Sequence, residues 1–292
     1  MCRTPPRSRP LPPRCGASPA WCWRSSLPFS RPTSPWNRSA PGGAGGGTVT
    51  DVPDNPPSKQ ARVRRFTAVE LAQHWALLVT LTVLAVTGLA LFAHGTWLGR
   101  TLIALEGGME TRGILHRCFA VLLMLIVVWH FLYVVFTERG HRQLMAMLPT
   151  RADFSAVGAL IAYYLGRRPE PPPFGRFTPL QKLQYWGAGL GSLVMIGTGF
   201  VLWFHTQAMA VMPKWVIDVT AIVHGYEGLI LFLLLFGWHL YIVHLSPGNF
   251  PMQTTFLTGT ISAERLFREH RLEYEELFGP EEPRDDGERD EP

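Results

Sequence analysis

Charge is what this chain has little of: 17% of its 292 residues are Asp, Glu, Lys or Arg, against about 25% in soluble domains. The charges gather in the two ends and one central stretch, leaving long uncharged runs between them. Cysteine is scarce as well, with Cys2, Cys15, Cys22 and Cys118 the only four. None falls in a Cys-x-x-Cys pattern, which excludes a zinc ribbon and covalent thioether attachment of a cofactor. The first sixty residues lack a continuous apolar stretch before small residues and so do not resemble a secretory signal. Residues 1–61 are instead rich in Pro, Gly, Ser and Arg, a composition that cannot bury a core and predicts disorder.

What is present in quantity is hydrophobicity, at 47% of residues. Four apolar segments, at 69–94, 114–137, 183–209 and 219–245, are each long enough to cross a hydrocarbon core about 30 Å thick. The central connection holds a shorter run, FSAVGALIAYYLG at 154–166, which predicts an interfacial helix. The expected fold is therefore all-α, a transmembrane four-helix bundle over 62–250 with a tail over 251–292. Arg62, Arg64 and Arg65 precede the first span, and Arg139, Arg142, Arg151, Arg167, Arg168, Arg176 and Lys182 lie in the central connection. The other two connections hold only Arg100, Arg112 and Lys214. The excess of cations places both termini and the central connection in the cytoplasm.

The bundle is an internal duplication. AQHWALLVTLTVLAVTGLALFAH, beginning at Ala72, aligns without gaps on LQYWGAGLGSLVMIGTGFVLWFH, beginning at Leu183, and shares Gln-x-Trp, Thr-Gly and a final His. The second and fourth spans align as well, each carrying two histidines: His116 and His130, then His224 and His239. Two like-oriented helix pairs imply a pseudo-twofold axis along the membrane normal.

The paired histidines are 14 and 15 residues apart. On an α-helix this advances ~21 and ~22 Å and returns within ~40° and ~60° of the starting face. Each helix thus presents one histidine near each side of the membrane, His116 level with His224 and His130 level with His239. Ionisable side chains in hydrocarbon are costly and generally functional, and neutral imidazole is a good iron ligand. Two imidazoles per iron leave no open position, so the centres expected are two non-covalent haems b that move electrons. The extra residue before His239 rotates it by ~100° from its repeat position. His130 and His239 share an aim only if a π-bulge near Gly237 absorbs that rotation.

Several motifs carry a family resemblance: Gln73-His74-Trp75 with a later Thr-Gly-Leu, LHR at 115–117, QKLQYW at 181–186, His224 and His239 followed by Tyr241, and the tail's EHRLEYEEL at 269–277. Together they resemble the dihaem cytochrome b subunits of respiratory formate dehydrogenases (gamma subunit) and nickel-iron hydrogenases, and most of all the cytochrome b proteins that accompany multihaem cytochromes c. The resemblance implies a bacterial inner-membrane subunit passing electrons between a menaquinone or ubiquinone pool and an extracytoplasmic partner. That partner would be a periplasmic dehydrogenase iron-sulfur subunit or a multihaem cytochrome c. No nucleic-acid partner is expected. For the inner haem the resemblance implies His74 with His239, and for the outer haem His116 with His224. The internal repeat instead offers His130 as the mate of His239. The pairing with His74 is preferred, with His130 as the alternative.

Arg117, beside an outer ligand, is a candidate for a haem propionate, and Glu227 is either a proton carrier or a hydrogen-bonded core glutamate. Glu70, Gln73, Gln181 and Lys182 are candidates for a quinone pocket. Gly187, Gly191, Gly197, Gly225 and Gly228 either admit flat macrocycles or serve helix contact. Two other readings remain: a self-contained oxidoreductase such as a superoxide:quinone reductase, and a haem-free membrane anchor.

Overall fold

A computed structural model of the chain describes residues 56–246 and 249–285. The segment predicted to be disordered lies outside the described residues up to 55. Its last residues, by contrast, are held by the tail: Lys59 and Ala61 exchange backbone hydrogen bonds with Arg284, Ala263 and Glu264.

Four long helices run through the bundle: α1 (Ala68–Phe92), α3 (Met109–Phe136), α6 (Pro179–Trp203) and a last span, Lys214–Leu245. The last one begins as α8 (Lys214–Phe232) and continues as two π-helical segments, Leu233–His239 and Tyr241–Leu245. Short helices α2 (Trp97–Leu105) and α7 (His205–Val211) close the far end. At the opposite end α4 (Glu138–Met147) and α5 (Arg151–Tyr164) fill the central connection. They meet at a bend of 51°, and the pair is apolar enough to count as a span only when joined.

α3 and the last span begin five residues before their apolar runs, at Met109 and Lys214. Their first five residues carry charges, Glu110 and Arg112 in α3 and Lys214 and Asp218 in the last span, which lower the local hydropathy and hide the helix starts. The third span stops at Trp203, where Phe204 leaves helical geometry (φ −96°, ψ 40°). Helix starts are chemically marked. Thr67 and Glu70 form a reciprocal capping box on α1, Thr150 and Asp153 on α5, and Thr178 and Gln181 on α6, each pair satisfying two backbone N–H groups the helix leaves open.

The bundle is built inside out. Phe136, Leu183 and Leu125 are 76%, 69% and 61% exposed, whereas Gln73, Thr80, Thr87 and Ser192 are buried. Leucine gains nothing by turning inward when the surrounding solvent is lipid, and helices then associate through small and polar side chains. Gly191 shows the consequence: a Cβ there would come within 2.6 Å of Glu227 Oε1 and 2.8 Å of Leu231 Cδ2. That glycine, with Gly187 against Leu234 and Gly228 against Met195, serves contact between α6 and the last span.

At the end of the bundle opposite α2 and α7, β1 (Arg62–Arg64) pairs antiparallel with β2 (Thr260–Ser262), Val63 opposite Ile261. Helices α9 (Thr255–Thr258), α10 (Ala263–Glu269) and α11 (Arg271–Phe278) complete the tail. Its own apolar core joins Ile261, Ala263, Leu266 and Tyr274. Beside it the buried carboxylate of Glu273 bridges Arg65 (3.5 Å) and Arg176 (2.5 Å), and His270 Nδ1 donates to Gly175 O at 2.7 Å.

His270 is 2% exposed. Burial, and then the cationic neighbours Arg65, Arg176 and Arg265, push its imidazole down to about 3, outweighing the opposing bond to Gly175. A histidine that titrates near 6.5 when unfolded therefore stabilises the docked tail fully above that pH. The contribution is lost as pH falls toward 3, at up to about 1.4 kcal/mol per pH unit. Amide hydrogen exchange across 255–278 is expected to speed up as pH is lowered from 6.5 to 4.5, after correction for intrinsic exchange, and His270→Gln is expected to flatten that dependence. An equally steep dependence in His270→Gln would assign the effect to other groups.

Candidate functional site

His116 on α3 and His224 on α8 face each other across the bundle, ring centroids 6.3 Å apart and planes at 74°. Their surroundings repeat. His116 Nδ1 lies 2.8 Å from Thr87 Oγ1, and His224 Nδ1 lies 2.9 Å from Thr198 Oγ1. Each hydroxyl donates its proton one turn back along its own helix, Thr87 to Val83 O (2.8 Å) and Thr198 to Val194 O (2.7 Å). With the hydroxyl protons on those carbonyls, each Nδ1 donates to its threonine, which leaves the Nε2 lone pairs free. Among the described residues no hydrogen bond engages either Nε2.

A glycine follows each threonine. A Cβ on Gly88 would sit 3.6 Å from His116 Cε1, and one on Gly199 3.1 Å from His224 Cε1. The Thr-Gly step shared by the two halves is thus an acceptor followed by space for the ring. It was visible as a repeat in the sequence, but its role was not.

The end holding His74, His130 and His239 is less symmetric. His130 uses both ring nitrogens: Nδ1 donates to Gln73 Oε1 at 3.0 Å, and Nε2 accepts from the Tyr185 hydroxyl at 2.9 Å. Tyr185 occupies the place of His74 in the repeat, so this bonded pair is the pseudo-symmetric counterpart of His74 and His239. A π-helix spans Leu233–His239, around Gly237, so the condition for His130 and His239 to share an aim is met. His74 Nδ1 is buried without a hydrogen-bond partner, and His239 lies within electrostatic range of both His74 and His244.

His244 was not among the candidate ligands read from the sequence. It follows His239 by five residues, one turn of a π-helix, and its Nδ1 is likewise buried and unpartnered. The ring of Phe256, on α9 of the tail, packs at 6.1 Å from His74, 5.6 Å from Trp75 and 5.5 Å from His244. Sequence periodicity on an α-helical pitch could not place His244 there.

Arg117 is exposed, with Nε donating to Gly113 O at 3.1 Å and its guanidinium over Trp203. The basic group whose charge bears on His116 is Arg112, one turn earlier on α3, buried, with Nη1 donating to Thr87 O at 2.8 Å. Its i, i+4 spacing to His116 was the available signal. Of the quinone-pocket candidates, Glu70 accepts from Tyr133, Arg139 and Gln143, Lys182 pairs with Asp153 at 2.9 Å, and Gln181 caps α6.

The chain matches the prokaryotic cytochrome b561 family over residues 22–150 and 151–247. It belongs to that family. It is also 21% identical over 189 residues, 64% of this chain and 78% of the relative, to the cytochrome b556(Fdn) subunit of the nitrate-inducible formate dehydrogenase of Escherichia coli, strains K12 and O157:H7, and of Shigella flexneri. A prokaryotic cytochrome of this family with four long apolar helices is a multi-pass membrane protein, and membership implies haem b.

The residues fit that group. A metal–imidazole bond of about 2 Å on each side, plus roughly 1 Å from ring nitrogen to ring centre, separates two axial imidazole centroids by about 6 Å. His116 and His224 have that separation, with Nδ1 anchored and Nε2 free. Among the described residues no three His, Cys, Asp or Glu side chains gather around a point. A haem requires only two protein ligands, because its macrocycle supplies the others.

Proposed function

We propose that this cytochrome b is the membrane subunit of a respiratory oxidoreductase and carries electrons between the quinone pool and a partner on the opposite membrane face. Two bis-histidine haems b would supply the redox chemistry, one held by His116 and His224, the other by His74 and His239. The reading rests chiefly on the anchored, facing pair His116 and His224. For the second pair, His130 is set aside because Gln73 and Tyr185 already occupy both of its nitrogens.

The chain's own residues then have distinct tasks. The histidines fix two levels roughly 20 Å apart along the helices, which spans most of a core about 30 Å thick. The lipid-facing leucines and phenylalanines exclude water from both levels. Arg112 sets a buried positive charge beside the far-end pair and is better placed than Arg117 to meet a propionate. The end holding His74, His130 and His239 carries the cationic connection and is the cytoplasmic face by the positive-inside rule. The far end, with α2 and α7, then meets an extracytoplasmic partner. The formate dehydrogenase subunits named above suggest a dehydrogenase iron-sulfur subunit, and the tail resemblance a multihaem cytochrome c.

Purified protein is expected to yield two acid-extractable haems b per chain, both low-spin. Co-purification of a large redox subunit is expected when the neighbouring coding sequences are co-expressed. Fewer than one haem per chain in a well-folded preparation, by pyridine haemochrome, would leave a haem-free anchor and reject the proposal.

A further inference from the structure

We propose that Thr87 and Thr198 are positioning residues that fix the tautomer of His116 and His224 and lower the reduction potential of the centre those histidines hold. The inference rests on the reading that this pair ligates a haem. It adds a determinant of that haem's redox behaviour.

The observation is a relay built twice. An imidazole N–H donates to a threonine oxygen (2.8 and 2.9 Å), and the hydroxyl proton goes on to a backbone carbonyl of the preceding turn (2.8 and 2.7 Å). A donor already committed to a carbonyl is a better acceptor, because chained hydrogen bonds polarise one another, the more so at low dielectric. The threonine therefore draws the Nδ1 proton outward and makes Nε2 more basic. A more basic axial ligand stabilises the oxidised iron over the reduced.

The relay belongs to one level only. His74 Nδ1 and His244 Nδ1 have no acceptor among the described residues, and His130 is tied up on both sides. The two centres thus differ in ligand basicity, and the far-end one is shifted downward by its threonines. Arg112 acts in the opposite sense, since a buried cation favours the reduced state. Only the change on removing a hydroxyl, and not the absolute potential, isolates the threonines.

A bland role for the hydroxyls is available and must be distinguished. Thr82 Oγ1 donates to Leu78 O at 2.7 Å with no histidine at hand, so back-bonding alone is ordinary helix chemistry. A purely structural threonine would change stability or haem retention without moving a potential.

The test uses the full-length protein in nanodiscs, with the far-end haem identified as the one missing from His116→Ala. In Thr87→Val and Thr198→Val, each of which keeps side-chain shape and loses the acceptor, the reduced-to-oxidised ratio of that haem at fixed ambient potential is expected to rise about tenfold. For a one-electron couple this is a midpoint about 59 mV higher. The other haem is expected to stay in place, Thr→Ser at either position to restore most of the original value, and the far-end low-spin electron paramagnetic resonance signal to shift with the midpoint. Should a valine variant fail to hold the haem, the midpoint and signal are read instead in Thr→Ala at that position, which removes the same acceptor. Loaded valine variants with unchanged midpoint and signal, or loss of haem in serine and valine variants alike, would overturn the inference. A wild-type protein without a haem dependent on His116 would instead defeat the functional reading before any threonine variant is made.

Discussion

His116→Ala and His224→Ala are each expected to remove one and the same haem while leaving the second haem with an unchanged spectrum. The two rings stand on facing helices, 6.3 Å apart, so an iron held between them would lose one of its two protein ligands when either ring goes. A six-coordinate low-spin centre cannot survive on one imidazole without recruiting a new ligand. Among the described residues the nearest bonded neighbours are Thr87 and Thr198, whose hydroxyls are committed to carbonyls. Optical and electron paramagnetic resonance spectra are the readout, with a fall from two haems to one per chain in each variant. The depth assignment would be wrong if either variant lost the other haem or if the two variants lost different haems.

At the other level His74→Ala is expected to abolish the second low-spin haem, whereas His130→Ala is expected to leave it nearly intact. Iron accepts two axial imidazoles, and His130 has both nitrogens spent on Gln73 and Tyr185. Losing it costs two hydrogen bonds, about 1 kcal/mol each, and strands Gln73 Oε1 and the Tyr185 hydroxyl. The His130→Ala protein should therefore unfold at a lower temperature and keep its haem. His239→Ala serves as the control that must lose the haem. His244→Ala tests the newcomer, since its Nδ1 is free and it follows His239 by one π-turn. An intact second-haem signal in His74→Ala would reject the assignment and return His130 or His244 to the site.

Much of this arrangement was legible in the chain. Lipid solvates apolar side chains on every face of a helix, so a span announces itself by length and composition. Four were read within a few residues except where Phe204 ends α6 early and where polar first turns extend α3 and α8. The duplication was legible too, and with it the facing of His116 and His224, because repeat mates on a twofold axis must share a depth. Counting 14 residues in one half and 15 in the other raised a π-bulge only as the condition for His130 and His239 to match, and the structure supplied it.

What lay beyond the sequence was the commitment of individual polar atoms. A histidine in a span has two nitrogens, and whether they face iron, a tyrosine or a threonine depends on which neighbouring helix reaches them. Tyr185 in place of a second His74 turns one of two equivalent positions into a hydrogen-bonded pair, a result that requires α3 and α6 to touch at that height. Arg112 rather than Arg117 comes to bear on His116 because Thr87 O of the neighbouring helix holds its guanidinium inside the bundle. Phe256 reaches the His74 level because a strand pairing 200 residues apart in sequence, Arg62 with Ser262, draws the tail back under the bundle. By itself the sequence determined the number of spans, their pairing and the spacing of the histidines along them, since these depend on local hydropathy and on counting residues. Only the tertiary structure decided which nitrogens remain free, since that depends on contacts between helices that no local pattern encodes.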